Sequence, residues 1–533
     1  MGRDQILTAR AVEGMIADGH TIVIYEDMVL KLDGWMDKHP GGRLAILHMV
    51  GRDATDEIKA YHSEATLRSM RPYRIGRKQG SWVNRTPPIR GGIFRREADQ
   101  LLSDSSVASC ASDTDESVDD SVSSASSICS CGDDAVHKDC GLHHRMARKP
   151  SAKAIKHSAT LRVANAAISR EIERDSATYP SVNPEVQRDI ARKYQRLHQR
   201  IHDEGLYNCP YTEYGKEMLR YTTLFTLFAV TFYHQWYITS AVFLGLFWHQ
   251  IMFTAHDAGH LAITSNFVTD TLIGMFIADF CCGLSIGWWK SSHNVHHLVT
   301  NQPEHDPDIQ NVPLFATCPS FFKSLRSTYY NFTFVWDAAA DFLVPYQRFT
   351  YYPVMGIARF NLYLLSWLHV LSEKSSSLGK SRAWWIRPTE ITFMACYWFL
   401  FGYCLLWRAL PDWTTRVVFV LVSHIVTMPL HVQITLSHWG MSTIDLGESE
   451  SFAQRQLRTT MDVDCPAWLD FIHGGLQFQA VHHLFPACLD TTSASFTDGN
   501  QKVLGRLQDV SDQLNIMLKC QKHMAETGES GLH

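Results

Sequence analysis

The stretch GLQFQAVHHLFP, residues 475–486, places Gln479 three and four residues before the adjacent histidines His482 and His483. On a helix, residues three and four apart lie on one face, so this segment can aim two imidazoles at one point. Neutral imidazole is a good ligand for iron and related metals. The spacing therefore indicates a metal site.

Two further clusters in the chain have the same kind of spacing. They are HDAGH, with His256 and His260, and HNVHH, with His293, His296 and His297. A single histidine near an apolar segment is more often a packed side chain than a ligand. Three clusters, each at the end of an apolar stretch, are hard to explain by packing alone, and together they could hold two metal ions.

The composition indicates a polar first half and a membrane-embedded second half. The 15 Trp and 27 Phe lie mostly beyond residue 218, and aromatic residues are enriched at membrane interfaces. The formal net charge of −5 gives no support to nucleic-acid binding. The first residues lack the apolar core and cleavage site of a signal peptide, so we expect the N-terminus to stay in the cytosol.

Two pairs of apolar segments are long enough to cross a bilayer, which predicts about four transmembrane helices. Residues 218–256 accommodate one tightly connected pair, and residues 391–410 and 416–436 form the second. Residues 270–289 and 351–371 are apolar but interrupted by charged residues or glycine. We therefore expect a surface or re-entrant position for both.

A single metal centre requires every histidine cluster to lie on the same face of the membrane. The first cluster follows the first pair of spans and the third follows the second pair, so the chain returns to the same side. The condition holds only if residues 270–289 do not cross, and Asp270 and Asp279 make a crossing there costly. This topology predicts histidine clusters that face the cytosol.

The chain divides into five predicted sections. Residues 1–85 form a small α+β domain, in which HTIVIYEDMVLKL predicts strands and GGRLAILHMVGRDATDEIKAYH predicts short helices. A disordered Ser- and Asp-rich linker, an amphipathic pre-membrane segment, a membrane domain and a flexible tail occupy residues 86–181, 182–217, 218–515 and 516–533. The pre-membrane segment contains a charged amphipathic helix that could lie along the membrane surface. Five linker residues of metal-binding type lack the spacing of a standard zinc site: Cys129, Cys131, His137, Cys140 and His143.

Two histidines of the first domain are candidate haem ligands. His39 stands in the turn HPGG and His62 ends DATDEIKAYH, so both could reach opposite faces of a haem from loops between helices. The alternative is a simple turn beside an unrelated surface histidine. Residues that could line the slot are Leu30, Leu32, Trp35, Leu44, Ile46, Leu47 and Ile58. Residues 19–76 resemble cytochrome b5, which implies ligation by His39 and His62 and electron transfer without an open site for dioxygen.

The chain as a whole resembles the membrane desaturases, specifically the front-end group, over residues 1–80 and about 185–515. That group carries an N-terminal cytochrome b5 domain and a glutamine at the start of its third histidine cluster, where Gln479 stands here. The resemblance implies a multi-domain protein: a small α+β haem domain and an all-α integral membrane desaturase domain. Its implied catalytic and metal-binding set is His256, His260, His293, His296, His297, His482 and His483. It adds His438 and Gln479 as metal contacts, with His305, His431 and His473 as nearby competitors.

The resemblance implies an oxygen-dependent lipid desaturase that uses haem b, two iron ions and dioxygen as co-substrate. Electrons would reach the fused haem domain from an NADH–cytochrome b5 reductase at the endoplasmic reticulum membrane, on its cytosolic side. The segment RLHQRIHDEGLYNCPYTEYGKE, residues 196–217, resembles the fungal sphingolipid delta-8 desaturases. It implies the long-chain base of a ceramide as substrate.

Three alternatives remain open at this point. One is a front-end fatty-acyl desaturase of the delta-5 or delta-6 type. Another is a di-iron lipid hydroxylase, which inserts oxygen where a desaturase removes a second hydrogen. The third, a metal transporter, is disfavoured because the spans are nearly free of charge and the histidines lie at their ends.

Overall fold

A computed structural model of the chain describes residues 3–96, 152–209, 211–372, 384–463 and 466–486. The predicted tail at 516–533, most of the predicted linker and its metal-binding residue types lie outside the described residues. The described part consists of one small mixed domain and a large helical domain.

The first domain is a four-stranded sheet with short helices, as the sequence predicts. Its strand order is β1-β4-β3-β2, with β1 parallel to β4 and the other neighbours antiparallel. The strands are β1 (Ile6–Leu7), β2 (Ile22–Tyr25), β3 (Met28–Lys31) and β4 (Arg74–Lys78). The helices are α1 (Ala9–Ala17), α2 (Arg43–Leu47), α3 (Thr55–Tyr61) and α4 (Glu64–Met70), with 3₁₀ turns at Met36–Lys38, Arg71–Tyr73 and Pro88–Arg90. The predicted α+β domain is confirmed.

The second domain is helical. Its helices are α5 (Ala152–Thr178), α6 (Pro184–Asp203), α7 (Tyr211–Tyr233), α8 (Tyr237–Gly259), α9 (Phe267–Met275), α10 (Ile286–Leu298), α11 (Ala338–Leu343), α12 (Gln347–Leu371), α13 (Ile386–Tyr397), α14 (Trp413–Ile425), α15 (Met428–Trp439), α16 (Phe452–Thr459), α17 (Asp470–His473) and α18 (Gln479–Leu484). Wider π-helical turns continue α9 over Phe276–Cys281 and α13 over Trp398–Ala409. Short 3₁₀ turns lie at Pro307–Ile309, Pro319–Phe322, Val344–Tyr346 and Ala467–Leu469, and a two-stranded ribbon pairs β5 (Leu325–Arg326) with β6 (Thr333–Phe334).

Four helical segments of the described chain are long and apolar enough to cross a membrane, which confirms the predicted number. They are Tyr237–Gly259, Ala338–Leu371, Ile386–Ala409 and Trp413–Trp439. The membership of this set differs from the prediction, because Ala338–Leu371 is in it and α7 is not. The convergence of the second and third histidine clusters nevertheless requires an even number of crossings between them. Ala338–Leu371 qualifies by length and composition although it contains Arg359, whose guanidinium donates to the Tyr363 hydroxyl and the Cys282 carbonyl inside the protein. By contrast, α7 pairs with α8 as a hairpin but is less apolar, since its first turns are charged.

The segment between the first two histidine clusters is a broken helix. Phe267–Cys281 and Ile286–Leu298 meet at 116°. Asp270 accepts hydrogen bonds from the Thr264 backbone and hydroxyl, and Asp279 accepts one from the Ile286 backbone. Both buried carboxylates therefore fix the turns that send the chain back, as a re-entrant segment requires.

The carboxyl-terminal end of the predicted linker is ordered, so the prediction of disorder is wrong for residues 152–178. Helix α5 packs Ala164 against Phe321 and Phe322 in one apolar cluster. Near its end, Asp175 is buried and its carboxylate lies 3.4 Å from Arg458 Nη1. The alanine face of α5 is small enough for close packing, but its low hydropathy concealed this from the sequence.

The amphipathic helix α6 packs its buried residues on the second domain, and its suggested position along the membrane surface stays a prediction. Its apolar residues Tyr194 and Ile201 are buried in a cluster with Phe452 and Phe485. The Tyr194 hydroxyl donates to the Leu484 carbonyl at 2.9 Å, and its ring stacks on Phe485. Helix α6 therefore supports the segment that carries the third histidine cluster.

The first domain is seated on helix α10 of the second. Val295, Leu298 and Val299 are buried in one apolar cluster with residues of the first domain, among them Leu30 and Met49. A polar rim flanks this contact: Arg52 pairs with Glu448, and Asn84 Nδ2 donates to the Glu448 carbonyl at 3.1 Å. The two domains thus meet beside the helix that carries the second histidine cluster.

Candidate functional site

The two histidines of the first domain face one another across a slot. The imidazole of His39 donates from Nδ1 to the Gly42 carbonyl at 3.0 Å, and that of His62 donates to the Ile58 carbonyl at 2.9 Å. These bonds fix the tautomer and leave each Nε2 with a free lone pair. Burial lowers the pKa of both side chains, that of His62 to about 4, so both rings are neutral at pH 7.

The slot has the shape and chemistry that a haem requires. The ring centroids of His39 and His62 are 6.0 Å apart, which leaves space for a metal ion between them. The surrounding cavity measures about 850 Å³. Of the seven predicted lining residues, the cavity is lined by Leu30, Leu32, Trp35, Ile46 and Ile58, but not by Leu44 or Leu47.

The backbone conformation of the HPGG turn explains why it contains two glycines. Gly42 has φ of +87°, a conformation that side chains disfavour, and it directly precedes α2. A Cβ on Gly41 would lie 2.9 Å from the His39 ring. The paired glycines therefore allow the turn to close around the imidazole.

A first group of histidines gathers at the end of α8. Its members, each able to offer a ligand atom within 4.8 Å of the others, are His256, His260, His293 and His482. They come from three predicted clusters and from three helices, α8, α10 and α18. His260 and His293 have ring centroids 5.0 Å apart, which requires the first two clusters to lie on one side of the membrane.

A second group lies beside the first and consists of His296, His438 and His483, again with ligand atoms within 4.8 Å. The His296 ring is held by Asp306, whose carboxylate accepts from Nδ1 at 2.9 Å. Burial opposes a charge on His296, but Asp306 and Asp308 outweigh it and raise its pKa to about 9. The carboxylate holds the ring through Nδ1, as is typical of metal-binding histidines, and a metal ion bound at Nε2 would displace the second ring proton.

His297 lies between the two groups. Its Nε2 is 2.9 Å from Nε2 of His293 and 3.2 Å from Nε2 of His482, and its ring stacks on His483 at 4.1 Å. Burial, reinforced by neighbouring histidines, lowers the pKa of these four side chains well below its usual value. Each neutral ring carries one proton, so hydrogen bonds among converging nitrogens cannot satisfy all their lone pairs.

The donor set therefore fits metal ions. Within the described chain, the buried Nε2 atoms of His260 and His483 have no hydrogen-bond partner. Buried polar atoms normally have partners, because an unsatisfied one costs free energy. Neutral imidazoles that converge in a desolvated pocket satisfy this requirement when they bind a metal such as iron.

The structure brings together all seven histidines of the predicted catalytic set, and His438 joins them. Gln479 is buried and its side chain hydrogen-bonds to His438, so it adjoins the second group. The competitors belong to neither group: the His305 ring packs on His48, His431 Nδ1 donates to the Met355 carbonyl, and His473 ends α17. Ligation itself remains a prediction.

Sequence reasoning missed two supporting residues. Asp306 follows the second cluster in the stretch HDPD, and this concentration of carboxylates near a histidine cluster was an available signal. Trp289 stacks on His293 with centroids 4.3 Å apart. Nothing in its local sequence distinguishes this tryptophan from the many others of the membrane domain.

Gly259 permits the close approach of Trp289 to the first group. A Cβ on Gly259 would lie 2.1 Å from Trp289 Cζ3, so Gly259→Ala must displace the indole that packs on His293. We expect this variant to lose metal affinity and activity by about 10- to 100-fold, the range for losing outer support of a metal ligand. Metal content per purified chain and product yield measure it. Gly402→Ala, where a Cβ meets only Trp398 at 3.8 Å, is the control; equal metal content in both variants would contradict the assignment.

Comparisons with known proteins agree with this two-part organisation. Residues 8–79 match the cytochrome b5-like haem/steroid-binding domain, and residues 234–489 match the fatty acid desaturase family. The chain is 46% identical to a delta 8-(E)-sphingolipid desaturase of Emericella nidulans, over 100% of this chain and 99% of that protein. It is 40% identical to a protein of the same name from Candida albicans, over 97% and 98%. An acyl-lipid (9-3)-desaturase of Borago officinalis is 37% identical over 47% of this chain and 54% of its own length.

Proposed function

Because this chain belongs to the family of membrane desaturases with a fused cytochrome b5 domain, we propose that it introduces a delta-8 double bond into the long-chain base of a sphingolipid. The observation that carries the proposal is the convergence of eight histidines, in two adjacent groups and His297 between them, beside the haem slot. The full-length similarity to proteins named for this reaction supports the choice of substrate.

The two histidine groups would each hold one iron ion. His256, His260, His293 and His482 provide donors for the first, and His296, His438 and His483 provide donors for the second. His297 is near enough to both to complete either set. Gln479, whose side chain hydrogen-bonds to His438, lies beside the donors of the second ion and would be a further contact for it.

The iron pair supplies dioxygen activation, which side-chain acids and bases cannot provide for an unactivated C–H bond. In balance, one CH₂–CH₂ unit, one dioxygen, two electrons and two protons yield one CH=CH unit and two waters. The protein orients the donors: Asp306 keeps its hydrogen bond at His296 Nδ1, and Thr459 accepts from His438 Nδ1 through its backbone carbonyl. Burial of His296, His438 and His483 limits the access of bulk water to the second group.

The fused domain would bind haem b through His39 and His62 and supply the electrons one at a time. An NADH–cytochrome b5 reductase is the proposed source, at the cytosolic face of the endoplasmic reticulum. The seating of the first domain against α10 supports this role, because it places the haem slot beside the histidine groups. The apolar side chains of the membrane-spanning helices would favour burial of the hydrocarbon chain of the lipid.

Expression in a yeast strain without delta-8 unsaturated sphingolipids tests the proposal. We expect mass spectrometry to find a new double bond at carbon 8 of the long-chain base, with ordinary fatty acids unchanged. His296→Ala should form no product, and His473→Ala should retain it. Unsaturation confined to fatty acids would identify a fatty-acyl desaturase, and an added oxygen atom would identify a hydroxylase; either result would overturn the proposed reaction.

A further inference from the structure

Tyr61 stands in the wall between the haem slot and the histidine groups, in a cavity that His260 of the first group also lines. It is the last residue of α3, directly precedes His62 and lines the cavity of the first domain. Its ring also meets the other side of the wall, because its centroid lies 5.8 Å from that of His297 in an edge-on contact. One side chain thus adjoins a proposed haem ligand through the backbone and a proposed iron ligand through its ring.

The aromatic surroundings hold this ring in place. Tyr61 packs edge-on against Phe452 with centroids 6.4 Å apart, and Phe452 packs in turn on Tyr194 of α6 at 5.6 Å. Helix α16 therefore holds the Tyr61 ring directly through Phe452, and helix α6 supports Phe452 through Tyr194. A side chain fixed in this way keeps a constant contact with His297.

The Tyr61 hydroxyl has no structural partner. Its oxygen is buried and makes no hydrogen bond within the described chain. Burial, with a smaller contribution from Glu57, raises the pKa of this phenol well above its usual value, so it stays protonated. The contact of Tyr61 with His297 is therefore made by its ring and not by its hydroxyl.

A second contact between the domains offers a competing route. Asn294 Nδ2 donates to the Gly41 carbonyl at 3.4 Å, near His39 on one side and next to His293 on the other. This bond is long, and it ends on backbone rather than on an imidazole. Electron tunnelling weakens steeply across gaps, so a packed ring that contacts a ligand imidazole is the better route.

We propose that Tyr61 is the bridge through which electrons pass from the haem to the iron pair. This inference rests on the proposed function. In each transfer one ferrous haem is oxidised to ferric and one ferric non-haem iron is reduced to ferrous. Tyr61 keeps its proton and undergoes no net oxidation, and two such transfers supply each double bond.

Anaerobic flash photoreduction of the purified full-length holoenzyme tests this bridge. A ruthenium photosensitiser reduces the haem within microseconds, and the loss of ferrous haem absorbance then reports transfer to ferric iron. We expect Tyr61→Phe to match the wild type and Tyr61→Leu to slow the decay by at least about tenfold, a difference that such kinetics resolve. Haem spectrum, haem potential and iron content should be the same in all three proteins.

Further variants keep the test decisive. If Tyr61→Leu binds less haem, Tyr61→Met replaces it as a non-aromatic side chain of greater length. The proposal that the ring is the bridge would be overturned if ferrous haem absorbance decayed at the wild-type rate in Tyr61→Leu or Tyr61→Met. It would also be overturned if that decay were slow in Tyr61→Phe. A larger effect of Asn294→Ala than of Tyr61→Leu would overturn it as well.

The wild-type protein separates failure of the bridge from failure of the proposed function. In the wild type, the loss of ferrous haem absorbance must be fast with iron bound and must disappear when a chelator removes the iron. If the wild type binds no iron, or shows no decay with iron bound, the proposed function fails before the role of Tyr61 is reached.

Discussion

His297→Ala should abolish desaturation and lower the iron content of the purified chain. His297 lies within 2.9 Å of His293 and 3.2 Å of His482 and stacks on His483, so its loss affects both histidine groups. Loss of an outer partner of a metal ligand typically costs about 10- to 100-fold in affinity or activity, and loss of a central donor costs more. We therefore expect no detectable product, with iron measured by mass spectrometry and product by lipid analysis.

His473→Ala is the matched control for this variant. His473 closely precedes the third cluster in the sequence but belongs to neither histidine group. It should keep wild-type iron content and product yield. An iron-replete His297→Ala protein with normal activity would show that the two groups do not form one catalytic centre.

His62→Ala should remove the haem and stop turnover while leaving the iron sites filled. The substitution deletes one of the two imidazoles that face one another across the slot and leaves only His39 of that pair. We expect less than about one-tenth of the wild-type haem absorbance. Product formation with NADH and reductase should fall to background.

His20→Ala is the control in the same domain. His20 is partly exposed and hydrogen-bonds to Asp33, away from the slot. Its haem spectrum and activity should equal those of the wild type. If His62→Ala retained full activity from NADH, electrons would have to enter the iron pair without the fused haem.

The sequence was most informative where chemistry depends on local spacing. The HPGG turn, the histidine clusters and the strands at 22–31 are all encoded over a few residues, and the structure places them as predicted. Asp270 and Asp279 also marked the segment in which the helix breaks, because a carboxylate in an apolar run must find donors. Each of them does so within a few residues.

Contacts between distant segments could not be predicted in this way. The fit of Trp289 over Gly259, the hydrogen bond from His296 to Asp306 and the ring of Tyr61 against His297 depend on tertiary packing. Helix α5 was missed because its average hydropathy resembles that of the preceding polar stretch, although its alanine face is buried. The contact of α6 with Phe452 and Phe485 could not be predicted, because an apolar stripe alone does not say whether lipid or protein covers it.

The covered face at the end of α10 would restrict which redox donors can reach the second histidine cluster. Val295, Leu298 and Val299 are buried beneath the fused domain, so a free carrier diffusing in the same membrane cannot reach that face while the domain is seated. Turnover should therefore be insensitive to the abundance of such carriers in the cell. A truncated chain without the first domain would expose the apolar patch at Val295, Leu298 and Val299, and we expect it to aggregate. It would also lose the haem domain proposed to supply its electrons.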